Sequence, residues 1–384
     1  MRFEFATATR IVFGPGKIGE VGTVAAEMGK CGFVVTGRTL ERAEPLLEQL
    51  SKHRIKCVTF NVSGEPTTIL AKAAVELARE AGSDFVISIG GGSAIDTGKV
   101  VAAMLTNSGQ LEDYLEVVGE GRPLTRTAAG HIAIPTTAGT GAEVTRNAVL
   151  GVPEKKVKVS MRSPLMIPRL AVVDPVLTYS MPPALTASTG LDALTQLMEP
   201  YVSNKANPLT DGICREGLIR AGRSLRKAYE NGSDAAARED MALVSLFGGL
   251  ALANAKLGAV HGFAGPLGGM ISAPHGVICG RLLPLVCEVN VKALQSREPG
   301  SVALARYDQI ARILTRDAYL GAADGLRWAQ ELCAALKVPS LAEFGLKEQD
   351  FSTVVAKCRK SSSMKGNPIK LTNEELMEVL RKSI

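Results

Sequence analysis

The sequence predicts a chain in two parts: an α/β region built on a mostly parallel sheet, followed by an all-helical region. Three observations carry that expectation. The first half alternates short β-rich runs with stretches of helical periodicity. The second half loses its strand signals and becomes rich in Ala and Leu, and 384 residues exceed what one core usually serves.

The strand candidates are residues 32–36 (Gly-Phe-Val-Val-Thr), 56–60, 85–89 (Phe-Val-Ile-Ser-Ile), 131–134 and 170–173. Between them, residues 40–50 and 70–81 carry apolar side chains at helical spacing, as expected where helices cover both faces of a parallel sheet. In such sheets ligands gather at the carboxyl ends of the strands. Residues 3–13 read as an additional, N-terminal β segment. After Asp174-Pro175 the pattern changes, and from Met181 onward helical periodicity takes over. The boundary therefore falls within residues 174–183, giving parts of 1–180 and 181–384, with residues 360–367 as an irregular loop.

Bulk properties narrow the function. Apolar residues make up 46% of the chain, which suits ordinary packing, and the net charge of +6 comes from basic residues scattered among acidic ones. No nucleic-acid partner is expected from that distribution. Seven cysteines form an odd count without a close CxxC pair, as in a reduced cytoplasmic protein. A basic-then-apolar leader and a long uncharged apolar span are both lacking, so the expectation is a cytoplasmic location without a membrane partner.

Two loops have the chemistry of a nucleotide site. The apolar run 85–89 ends in Gly90-Gly91-Gly92-Ser93 and is followed by Asp96 and Lys99, a strand–glycine turn–helix pattern. Glycines there let the backbone approach a pyrophosphate, and Ser93 reads as the cap of a helix whose N–H groups favour an anion. A crowded structural turn is the alternative. The second loop, residues 134–145, offers Thr136, Thr137 and Thr145 among glycines, suited to phosphate and ribose or to an ordinary polar turn. Lys155, Lys156 and Lys158 follow, as a solvated charge run or as phosphate partners.

The second half holds the metal-site candidates. Of four histidines in the chain, His261 and His275 share one glycine-rich region, residues 260–276. Lone histidines are most often satisfied core residues, but two flanked by Gly and Pro point to a metal. Asp192 is read at the start of an apolar helix with Gln196 four residues on, so both side chains share a helix face. Helix capping and core hydrogen bonding are the structural alternatives. Two imidazoles and one carboxylate with open positions suit Fe(II) or Zn(II).

In order along the chain, Phe13-Gly14-Pro15-Gly16, residues 90–99, 135–145 and 190–194, Asn207-Pro208-Leu209-Thr210-Asp211 and residues 260–276 resemble the iron-containing (group III) alcohol dehydrogenases over nearly the whole length. The resemblance implies a Rossmann-like parallel-sheet domain followed by a helical domain, the dehydroquinate synthase-like arrangement, with cofactor and metal meeting in the cleft between them. It implies Gly91, Gly92, Ser93, Asp96, Thr136, Thr137, Thr145 and Lys158 as cofactor contacts and Asp192, His261 and His275 as catalytic metal ligands. The implied activity is metal-assisted, NAD(P)-dependent hydride transfer between a nicotinamide and a small alcohol, aldehyde or ketone.

Two positions depart from the family pattern. Gln196, a neutral and weaker donor, stands where a fourth ligand histidine is usual, so the ion is expected to be held loosely. Gly265 stands where a histidine beside the nicotinamide is frequent, which removes a proton relay through that side chain. Competing readings are a metal-independent reductase resembling maleylacetate reductase and a nucleotide-binding protein that has lost catalysis. The family also implies a homodimer that pairs the N-terminal β segment across a two-fold axis. NAD-preferring members commonly carry an acid after the strand at 32–36. This chain has Gly37-Arg38, which removes a repulsive carboxylate and offers a guanidinium to a 2′-phosphate, so NADP(H) is favoured over NAD(H).

Overall fold

The computed structural model describes residues 2–155 and 157–384; Lys156, from the lysine run, lies outside the described residues. The chain forms two compact units, Ala6–Tyr179, and Ser180–Ile384 with the described residues before Ala6.

The first unit runs β1 (Arg10–Phe13), α1 (Val21–Ala26), β2 (Cys31–Thr36), α2 (Glu44–Lys52), β3 (Lys56–Asn61), α3 (Thr68–Glu80), β4 (Phe85–Gly90), α4 (Gly92–Thr106), β5 (Gly130–Pro135), β6 (Asn147–Val152), β7 (Val157–Arg162) and β8 (Leu170–Val173). Six strands make an all-parallel sheet in the order β1-β8-β5-β4-β2-β3. Burial on both faces is why the central strands are apolar runs rather than alternating ones. Phe33, Val35 and Val86 pack with Ala71 and Ala74 of α3 and Val100 and Val101 of α4. Val34, Phe85 and Ile87 pack on the other face with Val21 and Ala25 of α1 and Leu46 and Leu50 of α2. The helices that follow the neighbouring strands β2 and β4 thus leave on opposite faces. A crevice is expected at the carboxyl ends of such a pair.

The five anticipated strands all form, but the N-terminal segment contributes only Arg10–Phe13, paired in parallel with β8, while residues 2–9 hold no strand. Strands β6 and β7 were not anticipated. They form an antiparallel hairpin with Asn147 opposite Arg162 and Val152 opposite Val157. Ala148, Leu150, Val152, Val159 and Met161 bury one face of it, and the intervening lysines mask that alternation in the sequence. Ser93 does not cap α4: the N-cap is Gly91, with no side-chain hydrogen bond, and Ser93 already lies inside the helix.

The second unit contains α5 (Pro183–Val202), α6 (Pro208–Glu230), α7 (Ala235–Ala255), α8 (Ala259–Gly268), α9 (His275–Arg297), α10 (Val302–Thr315), α11 (Ala322–Ala335), α12 (Phe351–Cys358) and α13 (Asn373–Ser383), with no strand among its described residues. Helix α5 is almost wholly buried from Thr186 on and packs against α6, α7 and α9. Asp192 sits in the middle of α5 rather than at its start, so it does not cap the helix. The loop expected at 360–367 contains a short 3-10 turn, Ser363–Gly366, and ends in the buried Asn367. Asn367 accepts from the Ala259 N–H and exchanges hydrogen bonds with Asn290. Among the described residues no single helix is long and apolar enough to cross a membrane; α7 and α8 qualify only as a pair bent by 101°.

His131 of β5 ties strand to strand and gives the fold a pH dependence. Its Nε2 lies 2.9 Å from the Ser88 hydroxyl of β4, both buried. Burial, with the nearby Lys99 charge, pushes its pKa down from 6.5 to about 3. The folded chain therefore keeps a neutral imidazole while the unfolded chain takes up a proton. That stability is complete above about pH 6.5 and is lost as the pH falls toward 3. His131→Asn should flatten the fall of the urea midpoint with acidification across this window; an unchanged slope would show that His131 does not carry it.

Candidate metal centre and cofactor crevice

Three helices of the second unit converge on one cluster. Asp192 comes from α5, His261 from α8, His275 opens α9, and Cys279 follows one turn later on α9. One donor atom from each lies within 4.8 Å of all the others. Asp192 Oδ1 is 3.2 Å from His261 Nε2 and 3.8 Å from His275 Nε2. Cys279 Sγ is 3.8 Å and 3.7 Å from the same two nitrogens. Neighbouring N, O and S donors around a four-coordinate ion of ordinary bond lengths lie roughly 3.3–3.7 Å apart, so this set has the dimensions of a metal centre.

The close approach of α9 to α5 makes the cluster possible. A Cβ on Gly276 would fall 2.1 Å from the Ser188 carbonyl oxygen, and one on Gly280 would fall 2.6 Å from Leu191 Cδ1. A side chain at Gly276 would collide with backbone, and one at Gly280 would have to displace Leu191; each glycine is next in sequence to a cluster residue.

A further carboxylate orients His261. Glu199 Oε2 accepts from His261 Nδ1 at 2.7 Å, and Oε1 accepts from the Val260 N–H at 2.6 Å. With Nδ1 committed to Glu199, Nε2 is the atom presented to the cluster. Burial would push the His261 pKa down, but Cys279 and the carboxylates of Asp192 and Glu199 outweigh it and hold it well above 6.5. Burial would likewise raise Asp192, yet the His261 hydrogen bond, both imidazole charges and a hydrogen bond from Gln196 hold its carboxyl low. The surroundings thus favour positive charge among the Nε2 atoms and negative charge on Asp192, as a cation requires.

Gln196 is buried one turn after Asp192, as the sequence predicts, with its amide N–H toward Asp192 and its Oε1 unbonded against Gly248 of α7. Sequence reasoning missed Cys279 and Glu199. The four-residue step from His275 to Cys279, and the seven-residue step from Asp192 to a lone acid in an apolar helix, were the available signals.

In the first unit, Gly37, Gly91, Gly92, Thr136 and Thr137 come together at the carboxyl ends of β2, β4 and β5. The Gly37 N–H donates to Ile89 O and the Thr136 N–H to Gly90 O. A Cβ on Gly91 would lie 3.3 Å from Thr137 Oγ1 and one on Gly92 3.0 Å from Thr140. Without a side-chain cap, the first N–H groups of α4 suit a diphosphate. Arg38 is exposed beside Gly37.

Other predicted contacts have internal partners. Asp96 accepts from the Val149 N–H at 2.9 Å and lies 3.6 Å from the fully buried Lys99 ammonium, which donates to Thr145 Oγ1 at 2.7 Å. These bonds hold α4 against the segment that leads into the hairpin. Lys158 is ion-paired with Glu65. Glu143 is buried with neither oxygen hydrogen-bonded among the described residues, and burial raises its pKa to about 7.

Residues 8–175 match the family described as iron-containing alcohol dehydrogenase, and residues 186–384 match the Fe-containing alcohol dehydrogenase family, C-terminal. The chain is 33% identical to 1,3-propanediol dehydrogenase of Citrobacter freundii, covering 99% of this chain and 98% of that one. It is 29% identical to the NAD-dependent methanol dehydrogenase of Bacillus methanolicus, covering 97% of each. The solved structure of an alcohol dehydrogenase from Oenococcus oeni superposes with a TM-score of 0.91 at 33% identity and full coverage of both chains.

The Glu199–His261 bond can be tested apart from activity. Glu199→Gln should weaken retention of a divalent ion by about 10–100-fold, the usual cost of losing an outer partner of a ligand histidine. Chelator competition measures it, and retention equal to that of the unaltered protein would remove Glu199 from the account.

Proposed function

The chain belongs to the iron-containing alcohol dehydrogenase family, and we propose that its chemistry runs on Asp192, His261 and His275 with the nicotinamide cofactor held at Gly37, Gly91 and Gly92. It is a metal-assisted, nicotinamide-dependent oxidoreductase acting on small alcohols and the matching aldehydes or ketones. The observation that carries the site assignment is the convergence of one carboxylate and two imidazole nitrogens from three helices.

A divalent ion held by Asp192, His261 and His275 would supply Lewis acidity at the substrate oxygen, and a nicotinamide held at Gly37, Gly91 and Gly92 would supply the hydride donor or acceptor. The chain's own residues set the conditions for this. Glu199 fixes the proton of His261 on Nδ1, and the amide N–H of Gln196 steadies Asp192. Gly265 supplies no proton-transferring group, and a Cβ there would meet no atom within 4 Å, so the alcohol proton leaves by water or a hydroxyl rather than through this position.

For the cofactor, Ser93, Thr136 and Thr137 complete the crevice at the N-terminus of α4, while Asp96 and Thr145 shape its wall through Val149 and Lys99. Lys158 reaches a phosphate on release from Glu65. NADP(H) is favoured because Gly37 presents no carboxylate and Arg38 is free to approach a 2′-phosphate. Assembly is a homodimer through β1, an end strand of the sheet. A reducing cytoplasmic setting suits the seven thiols, among them Cys57, pushed up by burial to about 11, and Cys287, Cys333 and Cys358, each to about 12.

Two variants test this reading. His261→Ala should abolish metal retention and substrate-dependent oxidation of NADPH while leaving NADPH binding intact; full turnover in that variant would sink the metal assignment. Gly37→Asp meets only Gly90 Cα, at 3.6 Å, and should fold. It should lower the NADPH-to-NADH ratio of kcat/KM by roughly 10–100-fold, the equivalent of about 1.5–3 kcal/mol for a charge-assisted hydrogen bond. An unaltered ratio, or a wild-type preference for NADH, would refute the cofactor assignment.

A further inference from the structure

We propose that Cys279 is itself a ligand of the metal, supplying as a thiolate the strong fourth donor that the amide of Gln196 does not. The inference rests on the reading that Asp192, His261 and His275 hold the ion. Cys279 stands one helical turn after His275, so the two side chains leave α9 on one face. Its sulfur is buried and lies nearly equidistant from the two Nε2 atoms, at 3.8 Å and 3.7 Å, as the fourth protein donor of the cluster. The same glycines that bring α9 onto α5 fix this sulfur, since Gly280 follows it directly.

Gln196 has a different part. An ionised carboxylate only accepts, so an amide hydrogen-bonded to Asp192 must turn its N–H toward it. Its Oε1 then faces Gly248, where a Cβ would come within 3.1 Å. Gln196 is a positioning residue for Asp192.

The donor set is consequently one oxygen, two nitrogens and one sulfur. A thiolate moves selectivity away from the harder ions and toward Zn(II), so this chain should retain zinc in preference to iron. On uptake the Cys279 thiol gives its proton to solvent, the metal–sulfur bond forms in place of the S–H bond, and no electron is transferred.

Cobalt(II), added to the metal-stripped protein, tests this without reference to turnover. The unaltered protein should develop both visible d–d bands and a near-ultraviolet thiolate-to-cobalt charge-transfer band. Cys279→Ser, and Cys279→Ala as a second variant, should lose the charge-transfer band while keeping their far-ultraviolet circular dichroism, and should retain zinc at least about tenfold more weakly against a chelator. Gln196→Ala should keep the charge-transfer band. Visible bands without a charge-transfer band in the unaltered protein would overturn the thiolate while leaving Asp192, His261 and His275 in place. A charge-transfer band that survives in Cys279→Ser, or disappears in Gln196→Ala alone, would likewise overturn it. Failure to take up cobalt at all would refute the underlying metal reading together with this one.

Discussion

The contact of α9 with α5 at Gly276 and Gly280 is the constraint on which the functional part of the helical unit depends. With any side chain at Gly276, a carbon would fall on the Ser188 carbonyl oxygen, and backbone cannot rotate aside as a flexible side chain can. The two helices would have to separate, and His275 and Cys279 would move away from Asp192. The third helix is held by polar bonds instead. Glu199 of α5 accepts from both the Val260 N–H and His261 Nδ1, and Asn367 joins Ala259 at the start of α8 to Asn290 of α9. Steric fit sets one distance and hydrogen bonds set the other, so the cluster has little freedom to open.

The two candidate sites are electrostatic opposites. Around the Nε2 atoms of His261 and His275 stand Asp192 and Cys279, with Glu199 on His261 Nδ1, and these groups favour a cation. At the N-terminus of α4 the partners are backbone N–H groups and hydroxyls, which favour an anion. Among the described residues the fully buried ammonium nearby, Lys99, is occupied by Thr145, Asn147 and Asp96. Much of the polarity in these loops therefore serves to hold α4 and the hairpin together.

Much of this was legible in the sequence, for identifiable reasons. Strands buried on both faces, such as Phe85–Gly90, announce themselves as apolar runs, and the loss of such runs after Asp174 marks the change to helices. The β6–β7 hairpin was not legible, because Lys155, Lys156 and Lys158, in and just before its second strand, read as a solvated run. His261, His275 and Asp192 could be proposed from residue type and neighbourhood alone. Asp192 was misplaced at a helix start because Ser188-Thr189-Gly190 just before it reads as a beginning, whereas the first turn is set earlier, by Pro183. Cys279 and Glu199 stayed hidden for a physical reason: a buried thiol and a buried acid gain meaning only from what packs against them, and that is decided by helices far apart in the chain.

The central claim is that Asp192, His261, His275 and Cys279 form a single metal centre. Metal-edge X-ray absorption on protein purified without added metal tests it most directly. The expected result is one zinc ion per chain, with one sulfur neighbour at about 2.3 Å and nitrogen or oxygen neighbours at about 2.0–2.2 Å. A first shell of nitrogen and oxygen alone, or protein that carries no metal and takes none up, would contradict it.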